Sequence, residues 1–162
     1  MGACDYETVA ESYLSLGEAL AAVRSEPRGS EVPLAQLFVV ECGSTPNPVS
    51  LGGLLGEAAR DEMLEAMAER GVVPVASGAV PPDSLAHLLV YLGLLVLAEA
   101  RGDETASTAR LRIIDDLLVP AIRELRRHGG YCEALLAEAA EEVLGLDMEC
   151  LGVAVGGAAS EE

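Results

Sequence analysis

Apolar and polar residues alternate along this chain mostly with the period of an α-helix. Five segments either carry an apolar face opposite a charged one or are apolar nearly all round, as helices of a packed bundle are. Just over half of the residues are apolar but only five are aromatic, which favours packed helices over a sandwich or barrel. The predicted helices are Asp5–Val23, Glu57–Arg70, Leu85–Arg101, Thr105–Arg127 and Tyr131–Leu144.

Glycine and proline mark the connections between these helices. Residues 24–33 and Cys42–Gly53 are rich in both and predict loops, the second with room for a short helical turn. Between them, Leu34–Glu41 is a short apolar segment that fits a strand or a buried helix equally well. Gly71 directly follows one predicted helix and is expected to end it as a C′ residue.

The segment Leu85–Arg101 is the most apolar of the predicted helices. Its uninterrupted apolar part, Leu88–Ala98, is shorter than the roughly 20 residues that cross a bilayer, so it predicts a central buried helix and no membrane insertion. The fold class is therefore all-α. We predict a single-domain bundle over residues 1–150, with about five to six helices or more. Residues 151–162 are predicted to be a flexible C-terminal tail.

The chain is strongly acidic, with a net charge of −17, and its ten basic residues are all arginine. This charge repels phosphate backbones and so argues against nucleic-acid binding, whereas it suits either solubility alone or a cationic partner. Without lysine, neither a P-loop nor a Schiff base can form. The N-terminus has no cationic and apolar signal pattern, so a cytoplasmic location is expected.

The cysteines and histidines do not have the spacing of a metal site. Cys4, Cys42, Cys132 and Cys150 are scattered without a CxxC pair, and His87 and His128 are the only histidines. Buried, small apolar cysteines are favoured over metal ligands or a disulfide.

No catalytic set is visible in the sequence. Asp83, Ser84 and His87 contain the residue types of a triad, but Asp83 or Ser84 is better explained as the N-cap of the helix that follows, with Pro82 at its start. The adjacent Asp115 and Asp116 point about 100° apart on a helix and cannot share a proton. The glycine-rich residues 50–60 lack the order of a dinucleotide loop. Binding without catalysis, and without a cofactor or metal, is expected.

The segment that begins at Pro82 resembles the TorD-like (TorD/DmsD/NarJ) redox-enzyme maturation chaperones. That family has a Pro-Asp-His-Leu segment followed by Leu-x-Phe, and here Pro82, Asp83 and Leu85 are followed by Leu89 and Tyr91. Ser84 stands in place of the family histidine, and Leu88 in place of a glutamate.

Other parts of residues 34–144 are similar to the same family in order and spacing. Leu37 and Phe38 precede a proline-containing loop, and the following helix closes at a Gly-hydrophobic pair, Gly71-Val72. The segment Ile113–Ile122 keeps the family proline as Pro120, while Leu117 and Ala121 stand where the family has His and Trp.

The resemblance implies a chaperone that binds the twin-arginine leader, and the catalytic subunit, of a molybdopterin oxidoreductase during cofactor insertion and before export. A receptor for such a leader should offer carboxylates beside an apolar groove. Substitution of Asp83 by Ala is expected to weaken binding with little loss of fold. Domain-swapped dimers occur in the family, so the resemblance allows a homodimer. The predicted peptide-binding residues are Pro81, Pro82, Asp83, Ser84, His87, Tyr91, Asp115, Asp116 and Pro120.

Two other functions compete with this hypothesis. A general helical adaptor would bind a folded partner through an exposed apolar patch and would keep its affinity when the partner's leader is deleted. An enzyme acting on small molecules ranks last, because the chain has few of the His, Lys, Asn and Gln side chains that line polar pockets.

Overall fold

A computed structural model describes residues 5–25, 50–74, 81–128 and 130–159, and these residues form a helical bundle. Within those ranges there is no strand, only an isolated antiparallel bridge between Ser50 and Ser84. The all-α fold is confirmed. The helices are α1 (Tyr6–Ser25), α2 (Leu51–Leu55), α3 (Glu57–Glu69), α4 (Leu85–Ala100), α5 (Glu104–Ile113), a π-helical segment (Ile114–Leu118), α6 (Val119–His128) and α7 (Tyr131–Ala159).

Helix α4 lies at the centre of the bundle, as its apolar sequence predicts. It packs on one side against α1 and on another against α5, and most of its side chains are inaccessible to solvent. No helix in the described part of the chain combines the length and apolar character needed to cross a membrane. The buried residues of α4 are Leu85, Ala86, Leu88, Leu89, Tyr91, Leu92, Gly93, Leu95 and Val96.

Two glycines allow α1 and α4 to approach each other closely. A Cβ atom on Gly17 of α1 would lie 2.8 Å from the carbonyl oxygen of Ala86, and one on Gly93 of α4 would lie 2.8 Å from Cγ of Leu14. Real Cβ atoms do not come this near, so each helix has a glycine where the other presses against it. Glycine lowers the helix propensity at these two positions, but its lack of a side chain allows the helices to pack closer together.

The predicted helix Thr105–Arg127 contains a π-helical turn that the sequence pattern did not reveal. Helices α5 and α6 are joined through this turn, in which the Val119 N–H bonds to the Ile114 carbonyl five residues back. The physical reason is Pro120: it has no N–H to bond to the carbonyl four residues earlier, and a wider turn accommodates the missing bond. The helix is therefore continuous, but its faces shift in register at residues 114–118.

The final helix is longer than expected. It was predicted to end at Leu144, whereas α7 continues to Ala159, so most of the residues predicted as a tail are helical. Small apolar residues such as Ala154 and Val155 tolerate a helix, and two glycines at 156 and 157 were not enough to end it. The division into a domain and a flexible tail remains a prediction.

Several other predictions fall on particular residues. Gly71 has a φ of 75°, as expected for a C′ glycine. Cys150 is buried but disulfide-bonded, so the preference for an unbonded cysteine was wrong there; scattered positions in a sequence do not show which sulfurs meet in space. The segment Leu34–Glu41, most of the Cys42–Gly53 loop, Cys4 and Cys42, and the side chains of His128 and Cys132 lie outside the described residues.

Candidate functional site

Asp83 is buried at a junction between two parts of the chain, with 4 % of its surface exposed. Its Oδ2 atom accepts hydrogen bonds from the Ser50 hydroxyl at 2.7 Å and from the Gly52 N–H at 2.9 Å. Its carbonyl oxygen accepts a third bond from the Leu51 N–H at 2.8 Å. Asp83 therefore stabilises the N-terminus of α2 and ties it to the segment before α4.

The other predicted residues at this end of α4 also have local partners. Ser84 is the N-cap, and its hydroxyl oxygen accepts a bond from the Ala86 N–H at 3.0 Å. His87 Nδ1 lies 3.0 Å from the Pro81 carbonyl, which can only accept, so Nδ1 carries the proton in this bond. The hydrogen bonds of Ser84 and His87 thus lead to backbone atoms and not to each other. Of the two predicted caps, Asp83 and Ser84, the structure shows Ser84 in this role, and Pro81 and Pro82 form the half-buried turn before it.

Tyr91 lies two turns farther along α4, at the floor of a cleft of about 430 Å³. The ring is 2 % exposed, and its hydroxyl donates a hydrogen bond to the Ala66 carbonyl at 3.2 Å. Burial raises the pKa of this hydroxyl above its ordinary value of 10.0. Tyr91 therefore joins α4 to α3 and forms a buried part of the cleft floor. The cleft, called the Tyr91 cleft below, is lined by Ala66, Glu69, Arg70, Tyr91, Glu104, Thr105, Thr108, Ala109, Arg112 and Ile113.

The two arginines of the Tyr91 cleft already have acidic partners. Arg70 Nη2 lies 2.5 Å from an oxygen of Asp103, and Nη1 donates to the Thr105 hydroxyl at 3.1 Å. The bonds from Thr105 and then from Arg70 lower the pKa of Asp103 to about 2. Arg112 Nε is 3.9 Å from carboxylate oxygens of both Glu62 and Asp116. The positive charges of the cleft are therefore offset by carboxylates at its edge.

Glu69 and Glu104 supply the negative charge of the Tyr91 cleft that is not offset. Neither forms an ion pair with an arginine within the described parts of the chain. Glu69 is close enough to Tyr91 for its charge to help raise the pKa of the tyrosine hydroxyl. An apolar floor with unpaired carboxylates on its walls can bind a ligand that is apolar in one part and cationic in another.

A pair of carboxylates lies beside this cleft. Burial raises the pKa of Glu62, and a hydrogen bond with Asp116 raises it further. Asp116 is on the π-helical segment with half of its side chain exposed, so it reaches the cleft only through Arg112. The structure thus brings Tyr91 and Asp116 to the same region. Asp115 is exposed on the same turn, and Pro120 is half-buried in α6; neither lines the cleft.

A buried polar cluster, absent from the sequence predictions, joins four helices. Arg110 of α5 is fully buried; its Nη1 lies 2.5 Å from Glu99 Oε1 and its Nε lies 3.1 Å from Asp147 Oδ1. The Tyr13 hydroxyl donates to Asp147 Oδ2 at 2.5 Å, and the nearby Glu99 carboxylate raises the pKa of the Tyr6 hydroxyl. One signal was visible in the sequence: Arg110 occupies the apolar face of its helix, four residues after Ala106 and three before Ile113.

The geometry of this cluster leaves part of the guanidinium unsatisfied. Arg110 Nε and Asp147 Oδ1 are close but not aligned for a hydrogen bond, and Arg110 Nη2 has no hydrogen-bond partner among the described residues. Burial raises the pKa of Asp147 although Tyr13 and Arg110 act in the opposite direction. Arg110 and Asp147 are fully buried among the described residues and line neither the Tyr91 cleft nor a second groove between α1 and α7, so we interpret the cluster as a structural tie between helices.

Comparisons with models of protein families, with curated proteins and with solved structures find no match for this chain. Family membership therefore stays a prediction based on the residues quoted for the resemblance.

Proposed function

We propose that this protein is a chaperone that binds the twin-arginine leader of a molybdopterin oxidoreductase subunit during cofactor insertion and before export, with the Tyr91 cleft as the peptide site. The observation that carries the proposal is the pairing of an apolar floor with Glu69 and Glu104, whose carboxylates are not occupied by the cleft's own arginines. The resemblance to TorD-like chaperones is the reason for proposing a twin-arginine leader as the peptide that binds.

The chemistry of such a leader suits this cleft. Two adjacent arginines form charge-assisted, bidentate bonds with carboxylates, and Glu69 on α3 and Glu104 on α5 stand on different walls. The apolar run of the leader then packs on the half-buried Ala66 and Ala109, over a floor formed by the buried Tyr91 and Ile113. A site of this kind recognises the two properties that define the peptide, its paired positive charges and its apolar stretch.

The residues predicted from the sequence take different parts in this proposal. Tyr91 forms the buried floor beneath the peptide, and Asp116 extends the acidic edge of the cleft together with Glu62. Asp83 and Ser84 act at a distance by fixing where α2 and α4 begin. The sequence predicts that Asp83→Ala leaves the fold nearly unchanged. Because the Asp83 carboxylate is bonded to Ser50 and Gly52, we now expect this substitution to destabilise the fold.

The test is isothermal titration calorimetry with a synthetic leader peptide from a molybdopterin oxidoreductase of the same genome. Substitution of Glu69→Gln with Glu104→Gln should weaken binding about tenfold, since each partly exposed ion pair contributes about 0.2–1 kcal/mol. Binding should also weaken as salt is added, because these charges are near the surface. Replacement of the two leader arginines by glutamine should reproduce the loss.

A matched control is Glu11→Gln with Glu142→Gln, which removes the same charge from a different surface. This variant should bind the leader as the unchanged protein does. The proposal fails if the leader gives no heat of binding, or if both double variants weaken it equally, because the total charge of the chain would then explain the affinity. Equal binding to the mature subunit with its leader deleted would favour the adaptor function instead.

A further inference from the structure

Helices α1 and α7 enclose a second groove, of about 300 Å³, which shares no lining residue with the Tyr91 cleft. Leu16 lies at its floor and is fully buried. The α1–α7 groove, as it is called here, is lined by Thr8, Glu11, Ser12, Ser15, Leu16, Ala139, Glu142, Val143 and Leu146.

The wall formed by α1 is made of small side chains. The Thr8 hydroxyl donates to Asp5 Oδ2 at 2.7 Å, and the Ser12 hydroxyl donates to the Thr8 carbonyl at 2.8 Å. Because these hydroxyls are satisfied within their own helix, an apolar partner can cover them without leaving their donors unbonded. The small side chains also allow the backbone of a partner to come close.

The wall formed by α7 combines one carboxylate, Glu142, with an apolar stripe. Ala139, Val143 and Leu146 are spaced i, i+4 and i+7, so they form one stripe along the helix. Val143 is buried and Ala139 is half-buried, whereas Leu146 leaves 41 % of its surface exposed and so presents most of the apolar surface that a partner could cover. The stripe covers about 10 Å along the axis, or two helical turns.

The charge of the α1–α7 groove is entirely negative. It contains one carboxylate on each helix, Glu11 and Glu142, and no arginine or histidine. Neither glutamate takes part in an ion pair with another described residue. In this respect it differs from the Tyr91 cleft, which contains two arginines of its own.

We infer that the α1–α7 groove is a docking site for a cationic amphipathic helix of a partner protein. A helix with apolar side chains at i, i+4 and i+7 matches the length and spacing of the stripe on α7, and its flanking arginine or lysine side chains meet Glu11 and Glu142. The inference concerns a surface separate from the leader site and does not depend on leader binding.

A second copy of this chain is a poor source of that helix. Helix α6 carries three arginines, Arg123, Arg126 and Arg127, but its apolar residues Ile122 and Leu125 are buried in its own core. Arg126 and Arg127 are also paired with Glu141 and Glu124 of the same chain. Helix α6 of a second copy is therefore not the docked helix, and the occupant we infer is a helix of a different protein.

The experiment uses a fluorescent synthetic helix with leucines at i, i+4 and i+7 flanked by arginines, and a scrambled peptide of the same composition. The full-length protein should bind the ordered peptide and should bind the scrambled one at least several-fold more weakly by fluorescence anisotropy. Glu11→Gln with Glu142→Gln should weaken binding about three- to tenfold. Leu146→Ala, an exposed truncation with little effect on folding, should also weaken it.

Glu69→Gln with Glu104→Gln is the charge-matched control and should leave this affinity unchanged. Equal binding of the two peptides, equal weakening by both double variants, or no binding of the ordered peptide would each overturn the inference. Competition by the twin-arginine leader would overturn it as well, because the two ligands would then share a site. The calorimetric experiment with the leader peptide and the same two double variants tests the Tyr91 cleft, so its outcome does not depend on whether the α1–α7 groove binds a helix.

Discussion

Asp83 and Asp147 are both buried carboxylates, but their surroundings differ. Asp83 accepts hydrogen bonds from two neutral donors, the Ser50 hydroxyl and the Gly52 N–H. The nearest cation among the described residues, Arg60, has its Nε 4.0 Å from Asp83 Oδ2. Asp147 shares the single guanidinium of Arg110 with Glu99 and depends on the Tyr13 hydroxyl for its shortest bond. The comparison shows that two neutral donors, one hydroxyl and one backbone N–H, can satisfy a buried carboxylate at a single junction, whereas the ionic cluster needs four helices to be in place.

The largest expected effect is on the ionic cluster. Arg110→Met leaves Glu99 and Asp147 without their cation and should lower the free energy of unfolding by about 3–5 kcal/mol. Urea denaturation followed by circular dichroism measures this. Arg112→Met on the exposed face of the same helix is the control, with an expected loss below about 1 kcal/mol.

A triple variant sharpens this prediction. If Arg110→Met is combined with Glu99→Gln and Asp147→Asn, much of the lost stability should return, because no unpaired charge is then buried. A single variant as stable as the unchanged protein would contradict the interpretation of the cluster as a structural tie.

The Asp83 junction should respond less strongly. Asp83→Ala removes the acceptor for Ser50 and for the Gly52 N–H, and should cost about 1–3 kcal/mol in denaturation experiments. Asp115→Ala, at an exposed position, should change stability by no more than about 0.5 kcal/mol. Equal stability of the two variants would contradict this structural role. It would support the prediction from the sequence, in which Asp83 is needed for binding but not for folding.

The pH dependence of stability should differ in sign between Asp147 and Asp103. The pKa of Asp147 is raised in the folded state, so its favourable contribution is complete below its ordinary pKa of 3.8 and is lost as the pH rises through the raised value. The pKa of Asp103 is lowered to about 2, so its contribution is present above 3.8 and is lost as the pH falls through about 2.

Urea denaturation over a range of pH, with Asp147→Asn and Asp103→Asn as references, tests both signs. The advantage of the unchanged protein over Asp147→Asn should shrink as the pH rises, and its advantage over Asp103→Asn should shrink as the pH falls. Parallel curves for the unchanged protein and Asp147→Asn would mean that burial does not raise the pKa of this carboxyl.

The smallest expected effect is at the π-helical turn. Pro120→Ala restores an N–H to the helix and should stabilise the protein by about 1 kcal/mol or less, the value of one hydrogen bond. Because the missing N–H of Pro120 is the reason for the wider turn, residues 114–118 should return to regular α-helical bonding in this variant. Amide NMR of residues 114–120 would reveal this change, and a π-helical turn that persists would contradict the role given to Pro120.

The sequence predicted the start of a helix well where the residues that mark it are close together in the chain. The starts of α3 at Glu57 and of α4 at Leu85 agree with the prediction, because glycine, a capping serine and the onset of an apolar repeat lie within a few residues of each other. Tyr91 was expected in or beneath a groove, and it lies at the floor of the Tyr91 cleft. The unpaired glutamates of both grooves were not predicted, since they look like any exposed helical glutamate.

The sequence alone determined the all-α class, the central position of α4, a cap for it at Asp83 or Ser84, and the acidic character of the chain. Each depends on composition or on residues a few positions apart. Only the tertiary structure decided which charges are buried and which arginines are already paired. Tyr13 and Asp147, 134 positions apart, meet because α1 and α7 pack together. No periodicity encodes such a distance, because hydrogen bonds between helices depend on how their faces meet in space.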